Sequence, residues 1–422
     1  MRVGVVATSY PRRPGDAAGG FVAGHVAYLR AAGADVEVVA AGHGLPAPAR
    51  LFDAGGAPDA LEAARAAGGG AHLAALAAAA GFSARMLATV AWRARRWDAC
   101  AAHWLAPSAV AAALAPRRLP FVAVAHGGDV HLLARAGLLA PALALLVARD
   151  ARLVFVSDEL RARALAALPA WLAARVATRA VVQAMGVDER RAARIVAARA
   201  ARGPRVAAAP ATLAILARLV PVKAVDTALA ALTLVRTPSR LVVAGDGPAR
   251  PALEAQARAL GARVVMTGWL DADRRDELLA RADLVLVPSA PLPDGRSEGT
   301  PLAALEALAA GVPVVASATG GLPALARHGA TLVPPRDPAA VAAAIDAALA
   351  RPPPPPATAL GWTTVGAALD AHWRRDRARD REGSYAPAPR AAQPTRRQWS
   401  SRPAASGDPD RHSEQLPDRR GW

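Results

Sequence analysis

Two glutamates stand eight residues apart in the segment SEGTPLAALEALAAGVPVVAS, residues 297–317. The apolar spacing that follows Thr-Pro predicts a helix ending at Gly311, a residue type common just beyond helix ends. Glu298 then lies in the loop before the helix, and Glu306 lies almost two turns inside it, about 9 Å from its start at 1.5 Å per residue. The two carboxylates would therefore flank the helix N-terminus.

The start of this helix is predicted to accept an anion. Thr300 is a suitable N-cap, and Pro301 suits the first helical position, where its missing N–H costs nothing. The N–H groups of Leu302 and Ala303 would point out of the helix, where the macrodipole favours a phosphate. A nucleotide sugar carries hydroxyls on both sides of a diphosphate, which matches this layout. A capped helix with an ordinary interior glutamate is the alternative that this segment alone leaves open.

Lys223 is the only lysine among the 51 lysines and arginines of the chain. With Arg218 it follows a strand predicted to open a second series of strands and helices. Two cations on one loop can offset the charge of two phosphates without a metal ion. Two solvated surface charges are the alternative, which is weaker for Lys223 because arginine fills every other such position.

Two series of buried strands are predicted to position these residues. Short apolar runs alternate with Ala-rich helical stretches, the pattern of β-α-β units in parallel sheets. The first series has strands within 2–8, 35–40, 97–104, 121–129 and 151–165, and the second within 212–219, 239–247, 262–270, 282–289 and 312–317. Residues 42–90 are too rich in Gly and Ala to assign. We expect two facing, doubly wound α/β domains with the site in the cleft between them.

Composition excludes several classes of protein. The net charge of +17 suits nucleic acid, an anionic membrane or an acidic substrate. Nucleic acid is disfavoured because the arginines are scattered, aromatic residues make up 4% and no nucleic-acid motif occurs, which leaves an anionic membrane face or a plain compositional bias as explanations. The single cysteine, Cys100, cannot form an intramolecular disulfide and fits a reducing compartment. The first apolar run is too short for a signal peptide. We take 136–148 as the longest apolar stretch, shorter than the ~18–20 residues of a spanning helix.

Seven motifs occur in an order found in a known family. They are SYPRRPGDAAGGFV, WDACAAHWLAPS, VAHGGDV, MGVD, ARLVPVKAVDTALAAL, VVAGDGP and EGTPLAALE, the last followed by ALAAGVPVVAS and GGLP. The ordered set resembles the retaining glycosyltransferases of family 4, which have the GT-B fold of two facing Rossmann-like domains. The likeness covers nearly the whole chain. A single motif such as GDGP is weak, whereas the ordered set ending in Glu-x7-Glu is specific.

The resemblance implies roles for individual residues. Arg218 and Lys223 would bind the donor diphosphate, and Glu306 the ribose hydroxyls. Glu298 would lie at the transferred sugar, with His126 of the first domain beside it. The expected catalytic set is His126, Glu298, Arg218 and Lys223, and the expected donor-binding set is Gly19, Gly20, Arg218, Lys223, Glu298, Thr300, Leu302, Ala303 and Glu306. Gly19 and Gly20 would let backbone N–H groups approach the phosphates, and His103 and Trp104 are expected in packing or acceptor contact.

Five segments follow from these patterns. We expect an acceptor-side domain at 1–190, a linker at 191–211 and a nucleotide-sugar-binding domain at 212–351. A run of five prolines and a helix, 352–378, would pack back toward the first domain, followed by a disordered basic tail at 379–422.

The resemblance implies retaining transfer of a hexose from a nucleoside diphosphate sugar to a hydroxyl of a glycan or glycolipid. We expect no cofactor and no metal, since the Asp-x-Asp at 271–273 precedes a helix that it would cap. We expect a cytoplasmic protein that contacts a nucleotide sugar, a lipid-linked or glycan acceptor and an anionic membrane face, but no nucleic acid. A sugar-nucleotide epimerase and an inactive nucleotide-sugar-binding protein are the alternatives. The second is favoured by Ala217 and Ala224, which stand where the family has glycine.

Overall fold

Two parallel β-sheets covered by helices make up the computed structural model, which describes residues 1–13, 16, 18–46, 64, 68–203 and 209–383, with side chains as far as residue 373. The strands are β1 (Arg2–Ala7), β2 (Asp35–Ala41), β3 (Gly44–Leu45), β4 (Ala99–His103), β5 (Phe121–Ala125), β6 (Arg152–Phe155), β7 (Ala180–Val182), β8 (Ala211–Leu216), β9 (Ser239–Ala244), β10 (Val264–Gly268), β11 (Leu284–Val287), β12 (Val314–Ser317) and β13 (Thr331–Val333). The helices are α1 (Gly20–Ala31), α2 (Gly69–Arg93), α3 (Val110–Ala113), α4 (Gly128–Arg135), α5 (Leu139–Ala148), α6 (Asp158–Ala166), α7 (Ala170–Arg179), α8 (Glu189–Arg202), α9 (Val225–Leu232), α10 (Arg250–Arg258), α11 (Ala272–Arg281), α12 (Leu302–Ala309), α13 (Pro338–Leu349) and α14 (Trp362–Gly383).

Each sheet has a doubly wound strand order. The first is β3-β2-β1-β4-β5-β6-β7 and the second β10-β9-β8-β11-β12-β13, with parallel pairing throughout. Central strands such as LVLV of β11 are buried along their whole length, because helices cover both faces of each sheet. The chain reverses direction across the sheet between β1 and β4 and between β8 and β11, where the carboxyl ends of the strands leave a crevice for ligands. The predicted two-domain α/β fold is confirmed.

The C-terminal helix returns to the first domain. Four apolar residues of α14 are buried in the core of the first sheet, namely Trp362, Val365, Leu369 and Trp373. The chain crosses between the domains at Val187 and again at Leu360–Trp362, and these crossings are paired. Val187 N donates to Leu360 O at 2.9 Å, and Trp362 N donates to Val187 O at 3.1 Å. The first domain is thus built from the N-terminal segment together with α14.

Two predicted boundaries need correction. The linker predicted at 191–211 is wrong over 191–202, because α8 continues to Arg202 and buries Ala192 and Ile195 in the core of the second domain. The tail predicted at 379–422 begins inside α14, which continues to Gly383, and residues 384–422 lie outside the described residues.

The unassigned region 42–90 contains a long apolar helix. With the turn after it, α2 spans Gly69–Arg96, which is long and apolar enough to cross a membrane, and 22% of its most apolar window is buried. Length and composition do not distinguish a spanning helix from a surface helix. The choice of 136–148 as the longest apolar stretch was therefore wrong. Residues 47–63 and 65–67 lie outside the described residues.

Candidate active site

The loop after β8 is held against the glycines that follow β9. Leu219 N donates to Asp246 O at 2.8 Å. A Cβ on Gly245 would lie 1.8 Å from the carbonyl oxygen of Ala217, so no larger residue fits there. These contacts fix the backbone on both sides of Arg218.

The two alanines that replace the family's glycines differ in conformation. Ala217 does not have a positive φ, so its side chain causes no strain. Ala224 has φ 44° and ψ 45°, directly after the helical turn Pro221–Lys223. A left-handed conformation costs an L-residue roughly 1–2 kcal/mol. Of the two alanines, Ala224 alone therefore has a strained backbone conformation, and it lies next to Lys223.

Lys223 and Glu298 meet although they are 75 residues apart in the chain. Lys223 Nζ contacts Glu298 Oε2, which also accepts a hydrogen bond from Ser289 Oγ at 3.1 Å. The side chains of Lys223 and Glu298 are 19% and 12% exposed, so the ion pair is largely shielded from water. No residue in the described part of the chain hydrogen-bonds Glu298 Oε1, which leaves that oxygen for a ligand hydroxyl.

Helix α12 begins one residue later than predicted. Pro301 is its N-cap, and the hydroxyl of Thr300 donates to the carbonyl oxygen of Val156 at 3.0 Å. The expected cap at Thr300 and the expected helical position of Pro301 are therefore wrong, because the Thr300 hydroxyl bonds to the other domain. Among the described residues, the N–H groups of Leu302 and Ala303 have no acceptor. The anion site expected at this helix start stays a prediction, and these two N–H groups are the donors that it would use.

Glu306 is paired with two arginines that sequence analysis missed. Its Oε1 contacts Arg191 Nη1, and its Oε2 accepts a hydrogen bond from Arg275 Nη2 at 2.8 Å. Burial lowers the pKa of Arg191, but the carboxylates of Glu306 and Asp276 outweigh it, so the pKa is raised. Each carboxylate oxygen has two lone pairs, so Glu306 can still accept a hydroxyl hydrogen bond.

Asp129 shapes the turn that carries His126. Its Oδ1 accepts hydrogen bonds from the N–H groups of His126, Gly127 and Val130 at 3.1, 2.9 and 3.0 Å, and its Oδ2 accepts one from Leu105 N at 2.7 Å. Burial raises the pKa of Asp129, and these four donors oppose that rise. The HGGDV motif held the signal for this residue, because an aspartate at the start of a helix commonly binds nearby backbone N–H groups.

His126 ends a line of three histidines. His25 Nδ1 lies 3.0 Å from His103 Nε2, and His103 Nδ1 lies 3.1 Å from His126 Nε2. Burial lowers the pKa of His25 to about 4 and that of His126 to about 3. The pKa of His103 is lowered well below its usual value by burial and by both neighbouring rings. The three rings are therefore neutral at neutral pH. The centroids of the Trp104 and His126 rings lie 4.9 Å apart.

Gly19 and Gly20 lie on the His126 side of the cleft. The ring of the next residue, Phe21, packs against the His126 ring, with the two ring centroids 4.7 Å apart. Gly19 has φ 66°, and a Cβ there would lie 2.5 Å from Ser9 O, so glycine is required. Open space surrounds Gly20, where a side chain would fit.

The two domains touch where these residues converge. Arg163 Nη2 donates to Ser297 Oγ at 3.3 Å, next to the contact between Thr300 and Val156. A Cβ on Gly299 would lie 3.9 Å from His126 O. The loop of Glu298 and the start of α12 therefore lie opposite the His126 turn.

The Asp-x-Asp segment has a structural role. Asp271 Oδ1 accepts a hydrogen bond from Arg274 N at 2.9 Å and caps α11, as predicted. Within the described ranges, no group of three or more His, Cys, Asp or Glu side chains could hold a metal ion.

One family model matches the second domain, and curated proteins match part of the chain. Residues 210–351 match the family described as Glycosyl transferases group 1. An uncharacterized glycosyltransferase of Methanocaldococcus jannaschii is 38% identical over 120 residues, covering 28% of this chain and 29% of that protein. The GDP-mannose-dependent alpha-(1-6)-phosphatidylinositol dimannoside mannosyltransferase of Mycobacterium tuberculosis is 38% identical over 126 residues, 30% of this chain and 31% of that protein. The chain thus matches about a third of the length of these relatives.

Solved structures match both domains. Sucrose-phosphate synthase from Thermosynechococcus elongatus aligns with TM-score 0.59 and 20% identity over 90% of this chain and 99% of that one. Anabaena HepE in complex with UDP-glucose aligns with TM-score 0.55 and 20% identity over the same shares. At this identity the likeness establishes the fold alone. The chain thus has the GT-B fold, and its residues 210–351 match the glycosyl transferases of group 1.

Proposed function

We propose that this protein is a retaining glycosyltransferase that moves a hexose from a nucleoside diphosphate sugar to a hydroxyl of a glycan or glycolipid acceptor. The observation that carries the proposal is the meeting of Lys223 and Glu298 beside the unpaired N–H groups of α12, at the cleft between the domains. The group 1 match over residues 210–351 and the names of the relatives support the same class of reaction.

The cations of the site stabilise the leaving diphosphate in this proposal. Lys223 Nζ has three N–H donors, so it can remain paired with Glu298 while it donates to a phosphate. Arg218 adds a second cation from the same loop, and the N–H groups of α12 add further donors. Charge grows on the diphosphate as its bond to the sugar breaks, so these groups act mainly in the transition state. The reaction then needs no cofactor and no metal.

The sugar is held between Glu298 and His126, which come from opposite sides of the cleft. A retaining hydrolase uses a second carboxylate about 5 Å from the first, and we assign no such pair here. The acceptor hydroxyl instead attacks the face that the diphosphate leaves. The bond from the anomeric carbon to the phosphate oxygen breaks, the bond to the acceptor oxygen forms, and the acceptor proton passes to the diphosphate.

Lys223→Ala tests the proposed site. Loss of a charged hydrogen bond of about 1.5–3 kcal/mol should lower kcat/KM roughly 10- to 150-fold. Arg258→Ala removes an exposed cation of the same domain and serves as the matched control. An unchanged kcat/KM for Lys223→Ala would remove Lys223 from the diphosphate site.

Incubation with donor alone separates the proposed function from its alternatives. An epimerase would release an isomerised nucleotide sugar without an acceptor, and an inactive binding protein would bind donor without turnover. A panel of nucleotide sugars screened by thermal stabilisation identifies base and sugar, because a bound donor raises Tm by mass action. Absence of any stabilisation and of any nucleotide affinity by calorimetry would contradict the proposal.

We further propose that the protein acts in the cytoplasm at the inner face of the membrane, through α2. This helix exposes four large apolar side chains, Leu73, Leu76, Leu87 and Trp92. Arg96 packs over the Trp92 ring at 5.1 Å, which suits the boundary between acyl chains and anionic headgroups. Cosedimentation with anionic vesicles should be lost in a Leu73→Ser, Leu76→Ser variant and retained in Arg258→Ala. Equal binding by both variants would contradict this placement.

A further inference from the structure

The line of His25, His103 and His126 connects the core of the first domain to the cleft. His25 lies on α1, His103 ends β4 and His126 follows β5. The ring of His25 is stacked on Trp362 of α14, with a centroid distance of 5.2 Å and an interplanar angle of 3°. His25 and His103 are fully buried, whereas His126 is partly exposed.

Protons can be ordered along this line in two ways. A neutral imidazole has one N–H and one bare nitrogen, so the middle ring, His103, donates on one side and accepts on the other. Either His25 donates to His103 and His103 donates to His126, or both hydrogen bonds run in the opposite direction. The first order puts the proton of His126 on Nδ1, and the second puts it on Nε2.

The buried end of the line favours the first order. Nε2 of His25 has no hydrogen-bond partner among the described residues. The second order would place a proton on this atom, and an unpaired buried N–H is rarer in proteins than an unpaired acceptor. Because the Trp362 ring lies parallel to the imidazole, an N–H in the imidazole plane would not point at its face. Nε1 of Trp373, also buried without a partner among the described residues, is itself a donor and offers no acceptor.

We infer that His25 and His103 are positioning residues that hold His126 in the Nδ1–H form, so that His126 presents an N–H donor to a sugar hydroxyl oxygen in the cleft. The identity of this ligand rests on the proposed function. Within the described part of the chain, Nδ1 is the His126 ring nitrogen without a partner, since Nε2 faces His103.

The tautomer can be measured without any substrate. Long-range proton–nitrogen correlation spectra of protein with labelled histidines report which ring nitrogen carries the proton, and the His126 signals are identified by their loss in His126→Asn. At neutral pH we expect His126 with Nδ1 protonated and Nε2 bare. A proton on Nε2 would overturn the inference whatever the activity. The Nδ1–H form in a protein without transferase activity would support the inference and refute the proposed function.

A matched pair of variants tests the catalytic consequence. His103→Gln can donate to His126 Nε2 through its amide and accept from His25 Nδ1 through its carbonyl, whereas His103→Phe can do neither. We expect His103→Gln to keep kcat/KM within about threefold of wild type and His103→Phe to lose about tenfold or more, mainly in kcat. Equal losses in two variants of equal Tm would overturn the positioning role. If His103→Phe does not fold, the wild-type spectrum still decides the tautomer.

Discussion

The shielded ion pair between Lys223 and Glu298 makes a prediction about stability that is independent of substrate. Lys223→Met leaves the Glu298 carboxylate with Ser289 as its remaining observed donor. Glu298→Gln leaves a largely buried ammonium without its anion. The double variant contains neither unpaired charge. The losses of stability in the two single variants should therefore add up to more than the loss in the double variant.

The size of this coupling follows from burial. The two side chains are 19% and 12% exposed, so solvent screening is small. Removing one partner of a buried pair is much more destabilising than replacing both partners together. Coupling free energies between contacting residues are about 0.5–3 kcal/mol, so for this shielded pair we expect a value near the upper end, roughly 2–3 kcal/mol.

A double-mutant cycle in urea measures the coupling. The free energy of unfolding is determined for wild type, Lys223→Met, Glu298→Gln and the double variant. The exposed pair Arg281–Glu277, whose side chains are 67% and 57% exposed, is the control and should show a coupling of at most about 0.5 kcal/mol. Additivity within about 0.5 kcal/mol at Lys223 and Glu298 would refute the reasoning.

Three further predictions concern the rest of the site. The unfolded state binds protons at histidines of pKa about 6.5, while the folded values are about 4 for His25 and about 3 for His126. The free energy of unfolding should therefore fall as pH decreases below 6.5, by roughly 3 kcal/mol per pH unit near pH 6 when all three histidines take up a proton on unfolding. The slope of this free energy with pH measures the number of protons taken up, and fewer than one proton near pH 6 would contradict the prediction. Asp129→Asn should lower the free energy of unfolding in urea by roughly 2–3 kcal/mol, because the asparagine NH2 group would replace one of the two oxygens that accept backbone N–H groups. A loss below ~0.5 kcal/mol would show that the turn does not depend on the carboxylate. Glu306→Ala should weaken nucleotide binding about tenfold by calorimetry with little change in kcat, and unchanged affinity would exclude it from the nucleotide site.

The central strands were predictable because burial on both faces demands unbroken runs of apolar residues. The edge strands β3, β7 and β13 were not, since each has only two or three residues and a partly exposed surface. Helix α2 escaped prediction because its Ala-rich sequence has apolar residues on every face and therefore no period.

The candidate site was predictable only where the residue type itself was informative. Lys223 stood out as the single lysine, and Glu298 through its spacing to Glu306. Arg191 and Arg275 could not be recognised among fifty arginines, because their pairing with Glu306 spans 115 and 31 residues of chain. The cap at Thr300 failed for a related reason, since a contact with the other domain took the hydroxyl that local sequence assigned to the helix.

The paired crossings at Val187 and Leu360 determine how the cleft can open. Two backbone segments joined by hydrogen bonds of 2.9 and 3.1 Å form a short ribbon between the domains. A hinge needs only a few residues that change their backbone angles, so any motion between the domains should pivot near these two crossings. Lys223 and Glu298 of the second domain would then move together, as one unit, relative to His126 of the first.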